Sequence, residues 1–168
     1  MGRRILVALL VVTTVGVVTA VAVAGHGGFH ASLKGFEEVP AISTTGTGTF
    51  QATLATVGGD PVIRYRLEYS GLEGTAMASH IHLGQPDVNG GVSAFLCGGG
   101  DKPACPPSGA VRGRVDRADV IGPAGQGIAA GEIEEIIAAM EAGMAYVNVH
   151  TDKHPGGEIR GQVEPDAA

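Results

Sequence analysis

Histidines in two separate parts of the chain have the types and the spacing of metal ligands. His80 and His82 flank one apolar residue, Ile81, in the segment Ser79-His-Ile-His-Leu-Gly84. If this segment is a strand, both imidazoles leave the same face, with Cα atoms about 7 Å apart. Paired imidazoles of this kind suit copper or zinc. The alternative interpretation is two polar residues on the solvated face of a strand.

The second group of histidines lies in a predicted hairpin near the C-terminus. Residues 145–150 alternate between apolar and polar types, and 158–163 do the same after a reversal at Pro155-Gly-Gly157. His150 belongs to the polar face of the first strand, whereas His154 precedes the turn. The candidate metal ligands are therefore His80, His82, His150 and, as a fourth, His154.

Other polar residues of the hairpin are predicted to orient the imidazole rings, as outer partners do in metal sites. They are Tyr146, Asn148, Glu158 and Arg160. Copper is the first choice of metal and zinc the second. In the alternative without metal, the histidines form a hydrogen-bonded cluster that braces the hairpin, with Glu158 paired to Arg160 or to an imidazole.

The elements that must position these residues are mostly short strands. Alternation predicts strands at about 30–39, 46–54, 62–69, 78–83, 92–97, 109–115, 145–150 and 158–163. One helix is predicted over 129–142, where Ile133, Ile136, Ile137 and Met140 form a single apolar stripe. The expected fold is mostly β, an antiparallel β-sandwich or open barrel of about seven to nine strands with Greek-key-like connections. The sequence does not define the strand order.

The N-terminal sequence and the two cysteines indicate the cellular compartment in which the protein works. Arg3-Arg4, the apolar run 5–24 and the small-x-small site Ala22-Val-Ala24 predict a cleaved signal peptide over 1–24. An uncleaved membrane anchor through 5–24 is the alternative. Either interpretation makes the rest of the chain secreted, periplasmic or cell-surface. Cys97 and Cys105 are expected to pair as a disulfide there.

The charge of the chain argues against nucleic acid as a partner. The sequence holds 17 acidic against 11 basic residues, for a formal net charge of −6. Phosphate binding relies on clustered Lys and Arg. An extracellular protein remains as an expected partner, and contact with a membrane is expected only through 5–24.

Several motifs, taken in their order along the chain, resemble the CHRD domain, a family named from chordin and common in exported proteins. They are Gly35-Phe-Glu-Glu-Val-Pro40, Leu67-Glu-Tyr-Ser-Gly-Leu72, Ser79-His-Ile-His-Leu-Gly84, Ala145-Tyr-Val-Asn-Val-His-Thr151 and His154-Pro-Gly-Gly-Glu-Ile-Arg-Gly-Gln162. The resemblance implies a β-rich extracellular domain of poorly defined function over 31–164. A linker at 25–30 and a tail at 165–168 complete the domain assignment.

Gly71-Leu72 and the His80–His82 pair are also similar to a segment of copper-zinc superoxide dismutases. That resemblance implies a related sandwich fold. It does not extend to the histidine-rich zinc loop of those enzymes, because 85–107 contains no histidine.

Three functions follow from these observations. The first is a mononuclear metal site, the second a protein-interaction or adhesion module of the cell envelope. An enzyme is the least supported, because the sequence shows neither a nucleophile elbow nor a distinctive carboxylate pair, so no catalytic residue is assigned.

Overall fold

The computed structural model describes residues 27–167. These residues form one antiparallel sheet of nine strands that is nearly closed into a barrel, with one α-helix. The predicted fold class is confirmed. The predicted signal peptide over 1–24 lies outside the described residues, and no helix within 27–167 is both long and apolar enough to span a bilayer.

The strands follow one path around the sheet. They are β1 (Phe29–Lys34), β2 (Thr47–Val57), β3 (Asp60–Ser70), β4 (Ala76–Leu83), β5 (Val92–Cys97), β6 (Gly109–Val115), β7 (Ala145–Thr151), β8 (Ile159–Gln162) and β9 (Glu164–Pro165). The helix α1 (Ile133–Glu141) lies between β6 and β7 in sequence. The order across the sheet is β5-β4-β7-β8-β1-β2-β3-β6, with β9 paired to β1.

The side chain of Tyr65 in β3 helps to hold the two ends of the sheet together. Tyr65 points inward, and its hydroxyl donates to the carbonyl of Leu96 in β5 at 2.6 Å. Its ring lies against Gly113 of β6, where a Cβ would come within 2.5 Å of the tyrosine oxygen. A glycine at this position therefore lets one side chain bridge from β3 across β6 to β5.

The helix begins later than the apolar periodicity predicted. Gly131 adopts a left-handed conformation with φ +89°, which interrupts helical geometry before Ile133. The carboxylate of Glu132 instead accepts from the backbone N–H of Ala129 at 2.7 Å. Ile133, Ile136 and Met140 form the buried face of the helix, as the apolar stripe predicted.

The first strand occupies a different range from the one predicted. It begins at Phe29, inside the segment 25–30 assigned as a linker, and ends at Lys34 rather than at Val39. A 3-10 turn over Gly35–Glu37 ends it, with the N–H of Ile42 donating to the carbonyl of Gly35 at 2.8 Å. This turn carries Glu38 into a buried position.

Antiparallel pairing of β4 with β7 brings the two histidine motifs together. His80 pairs with Asn148 and His82 with Tyr146, while His150 pairs with Ala78. Strand alternation places Ile81, Val147 and Val149 in the core cluster. The histidines therefore lie on the opposite face of the sheet.

The two cysteines lie at disulfide distance, as the sequence predicted. Cys97 ends β5 and Cys105 lies in the following loop, with Cα atoms 5.0 Å apart. The cysteine pair closes a loop between β5 and β6. A disulfide at this place fits an oxidising compartment.

Candidate metal centre

Three imidazoles converge on the face of the sheet opposite the core. His80, His82 and His150 each offer one ring nitrogen, and these nitrogens lie within 4.8 Å of one another. Nδ1 of His80 and Nε2 of His150 are 3.0 Å apart. Because imidazole nitrogens bind zinc at about 2.0–2.1 Å, an ion shared by the three rings requires them to move together by about 1 Å or less.

Backbone carbonyls fix the orientation of two of the rings. Nδ1 of His82 lies 3.0 Å from the carbonyl of Gly90, and Nδ1 of His150 lies 2.9 Å from the carbonyl of Pro155. A carbonyl only accepts, so each Nδ1 must carry the proton and donate it. Each Nε2 therefore keeps its lone pair, which is the arrangement that metal-ligating histidines use.

The hydrogen bonds also define the tautomer of His80, and they leave Nε2 of His82 without a partner among the described residues. Since Nε2 of His150 has only a lone pair, Nδ1 of His80 must be the donor in their contact. Nε2 of His82 is buried and has no hydrogen-bond partner among the described residues. A buried acceptor without a partner costs stability unless something binds to it.

Burial keeps the three rings neutral. It lowers the pKa of His80 to about 3 and that of His82 to about 4, and it also lowers the pKa of His150. The positive charge of Arg160 acts on His82 in the same direction as burial. Since the rings are neutral at neutral pH, an ion does not have to displace an extra proton from them. The proton on Nδ1 of His80 must still move to the other ring nitrogen, or the ring must turn, before the facing nitrogens of His80 and His150 can share an ion.

We expect the metal-free protein to lose stability when the pH falls from about 6.5 to about 4. In the unfolded chain the histidines protonate near pH 6.5, whereas His80 and His82 in the folded chain remain neutral until about pH 3–4. The unfolded state therefore binds more protons in this window, which lowers the free energy of unfolding. Urea titrations at about pH 7 and about pH 5 measure the difference.

Substitution of His82 provides the control for this prediction. The His82→Ala variant should show a smaller loss between the two pH values, because it lacks one of the buried rings. His30 is exposed on β1, and the His30→Ala variant should behave like the parent chain. An equal pH dependence for all three proteins would contradict the assignment.

Aromatic rings form the walls of the site. The ring of Tyr146 stacks on His82 with centroids 4.6 Å apart and planes 7° from parallel. Phe95 of β5 meets His80 edge-on at 4.6 Å. Tyr146, for which an orienting role was predicted, contacts His82 directly, and Phe95 makes a contact that the sequence did not predict.

Asn148 lies on β7, opposite His80 of β4. Its Oδ1 is buried and, like Nε2 of His82, has no hydrogen-bond partner within residues 27–167. A side-chain interaction with Asn148 raises the pKa of His82 and so opposes the larger effect of burial. The site therefore contains two buried acceptor atoms without protein donors.

Arg160 holds the loop between β4 and β5. Its guanidinium donates to the carbonyls of Gln85 at 3.2 Å and Val88 at 3.0 Å. It also lies 3.5 Å from the centroid of the Tyr146 ring, on the strand next to β7. The same loop supplies Gly90, the acceptor for His82, so Arg160 positions part of the site through backbone contacts.

Glu158 is placed away from the rings. It is fully buried, and its carboxylate accepts from the hydroxyls of Thr44 and Thr151 and from the N–H groups of Glu73 and Gly74, at 2.7–3.2 Å. Although burial raises its pKa, these donors lower it overall. Glu158 joins the hairpin to two loops, and among the described residues its hydrogen bonds go to no histidine.

His154 does not belong to the three-histidine group. It lines a separate cleft of about 250 Å³ together with Glu38, Pro40 and Pro155. Its Nε2 is buried and lies 3.9 Å from the carboxylate of Glu73. The structure thus brings together three of the four predicted ligands.

Sequence reasoning missed the groups that orient the rings from loops. The carbonyls of Gly90 and Pro155 have no side-chain signature, and Phe95 reaches His80 only because β5 pairs with β4. The one local signal was the turn sequence Asn89-Gly90 directly after the His-x-His strand.

Comparison with known proteins gives one family. A family model described as the CHRD domain matches residues 29–163, which include the whole histidine cluster and strands β1 to β8. No curated protein and no solved structure gives a significant match.

Proposed function

This chain belongs to the CHRD domain family, and we propose that it is an exported protein that binds one copper ion between His80, His82 and His150. The observation that carries the proposal is the convergence of three neutral imidazoles, one of them with a buried Nε2 that has no partner among residues 27–167. A hydrogen-bonded cluster that only braced the hairpin would be expected to satisfy that atom.

Copper is favoured over zinc by the chemistry of the donor set. Among divalent ions copper binds nitrogen ligands more tightly than zinc in the usual affinity order. Copper, unlike zinc, also has a monovalent state, which places less charge in a buried site. The cysteine pair at disulfide distance fits a compartment outside the cytoplasm. There the bound ion would supply one-electron chemistry or simply be carried by the protein.

The residues around the rings support the same function. Gly90 and Pro155 orient two imidazoles through their carbonyls, while Tyr146 and Phe95 limit how far the rings can turn. Preorganisation of this kind reduces the ordering cost of binding an ion.

Metal content of the exported protein tests the proposal. We expect about one copper per chain in the parent and in His30→Ala, but less than about 0.1 in His80→Ala and His150→Ala, because two remaining imidazoles hold an ion weakly. Equal copper content in all four proteins would contradict the proposal. Capture of one protein partner by copper-free parent and histidine variants alike would instead support an interaction module.

A further inference from the structure

Arg160 is a buried cation close to the candidate metal centre. It is 2% exposed. No carboxylate of the described residues 27–167 forms an ion pair with it. A buried charge without a partner is costly, so its position calls for a physical explanation.

Neutral groups hold the guanidinium in place. It donates to the carbonyls of Gln85 and Val88 and to Oδ1 of Asn89, the last at 3.4 Å. Its flat face lies over Tyr146 at 3.5 Å from the ring centroid. These contacts satisfy its hydrogen bonds but leave its positive charge largely uncompensated.

The charge of Arg160 also interacts electrostatically with one carboxyl that forms no ion pair with it, that of Glu38. Glu38 is 6% exposed. Burial nevertheless raises the pKa of Glu38 to about 7, so this carboxyl is partly protonated at neutral pH and offsets only part of the charge. Arg160 therefore contributes a net positive potential inside this part of the fold.

The positive potential acts directly on the histidine cluster. Strands β4, β7 and β8 are neighbours, and the side chains of His82, Tyr146 and Arg160 form a stack across them. One aromatic ring thus separates the guanidinium from a candidate ligand. An ion held by the cluster would lie in the field of a fixed cation.

The ligands themselves bring no negative charge. The group formed by the described residues contains three imidazoles and neither carboxylate nor thiolate. Its complex with monovalent copper would carry one positive charge, whereas complexes with divalent copper or zinc would carry two. The burial of His80 and His82 destabilises a complex with two positive charges more than a complex with one. A neighbouring cation has the same effect.

We propose that this site selects monovalent copper over divalent ions, and that Arg160 sets the preference by placing a buried positive charge behind Tyr146. The proposal rests on the copper site proposed above and specifies which ion that site takes. Arg160 acts through the stack and through the loop between β4 and β5, so it is a positioning and tuning residue rather than a ligand.

The test compares the reduction potential of copper-loaded parent chain with that of Arg160→Gln and Arg160→Lys. Removal of the charge in Arg160→Gln should shift the ratio of Cu(I) to Cu(II) affinity towards Cu(II) by about tenfold, or about 59 mV in potential. Arg160→Lys keeps the charge and should remain within about threefold of the parent. Arg64→Gln, an exposed arginine on β3, is the matched control and should leave the potential unchanged.

Two measurements keep the proposal testable if the Arg160 variants do not fold. Glu38→Gln removes a negative charge near Arg160 and should raise the potential, the direction opposite to Arg160→Gln. The parent alone should bind Cu(I) more tightly than Cu(II) and Zn(II). A parent that prefers a divalent ion, or an Arg160→Gln variant with the parent's potential, would overturn the inference while leaving a copper site in place. A parent that binds neither oxidation state would instead contradict the proposed function itself.

Discussion

Replacing His82 with alanine should weaken copper binding by at least about 100-fold, more than the loss of an outer orienting residue usually costs. His82 is the ligand that the surrounding structure prepares most completely. The carbonyl of Gly90 fixes its tautomer, Tyr146 stacks on its face, and its Nε2 is buried without a partner among residues 27–167. Competition with a chromophoric copper chelator measures the affinity.

Two other histidines provide controls within the same chain. His30→Ala should retain the affinity of the parent, because His30 lies on β1 and bonds Asp166 rather than the cluster. His154→Ala should stay within about twofold, because the group that can share an ion does not include His154. Equal weakening by His30→Ala and His82→Ala would show that copper binds nonspecifically to imidazoles.

Replacing Glu158 with alanine should lower the free energy of unfolding by about 3 kcal/mol. The change removes the acceptor for two hydroxyls and two backbone N–H groups, all held by one fully buried carboxylate. Each donor left buried without a partner costs about 1–3 kcal/mol, although water will satisfy some of them. Denaturant unfolding of the metal-free protein measures the effect.

Two variants separate this role from a general effect of charge. Glu158→Gln keeps one acceptor oxygen, so we expect about half the loss. Glu135→Ala changes an exposed glutamate of α1 and should alter stability by no more than about 0.5 kcal/mol. If Glu158→Ala were as mild as Glu135→Ala, the carboxylate would not join the hairpin to the loops at Thr44 and Glu73.

Local patterns were sufficient to predict the strands that carry the histidines. Alternation of apolar and polar residues predicted that these strands have one apolar face, and Ile81, Val147 and Val149 lie in the core cluster. The same alternation put His80 and His82 on one face, because a strand has a side-chain period of two. The cysteine pair and the single helix were also readable from local sequence.

Contacts between segments that are far apart in the sequence could not be predicted from local patterns. The pairing of β4 with β7 joins residues about 70 positions apart, and no local signal defines its register. The place of Arg160 over Tyr146 depends on β8 lying beside β7 and on the loop between β4 and β5, whose carbonyls accept from the guanidinium. Glu158 was predicted to orient the rings as a polar residue of the hairpin, but its carboxylate accepts from the loops at Thr44 and Glu73.

Backbone geometry accounts for the remaining differences. The apolar stripe of the helix extends the prediction back to Ala129, but Gly131 in a left-handed conformation delays the start to Ile133. The 3-10 turn after Lys34 similarly ends β1 before residue 39, where the predicted strand ended.

The central claim is that one copper ion lies between His80, His82 and His150. An anomalous difference map from a crystal of the copper-loaded protein, recorded at the copper absorption edge, tests this claim most directly. We expect a single strong peak about 2.0–2.1 Å from one ring nitrogen of each histidine. A map with no peak there, or with copper bound only at exposed histidines such as His30, would contradict the claim.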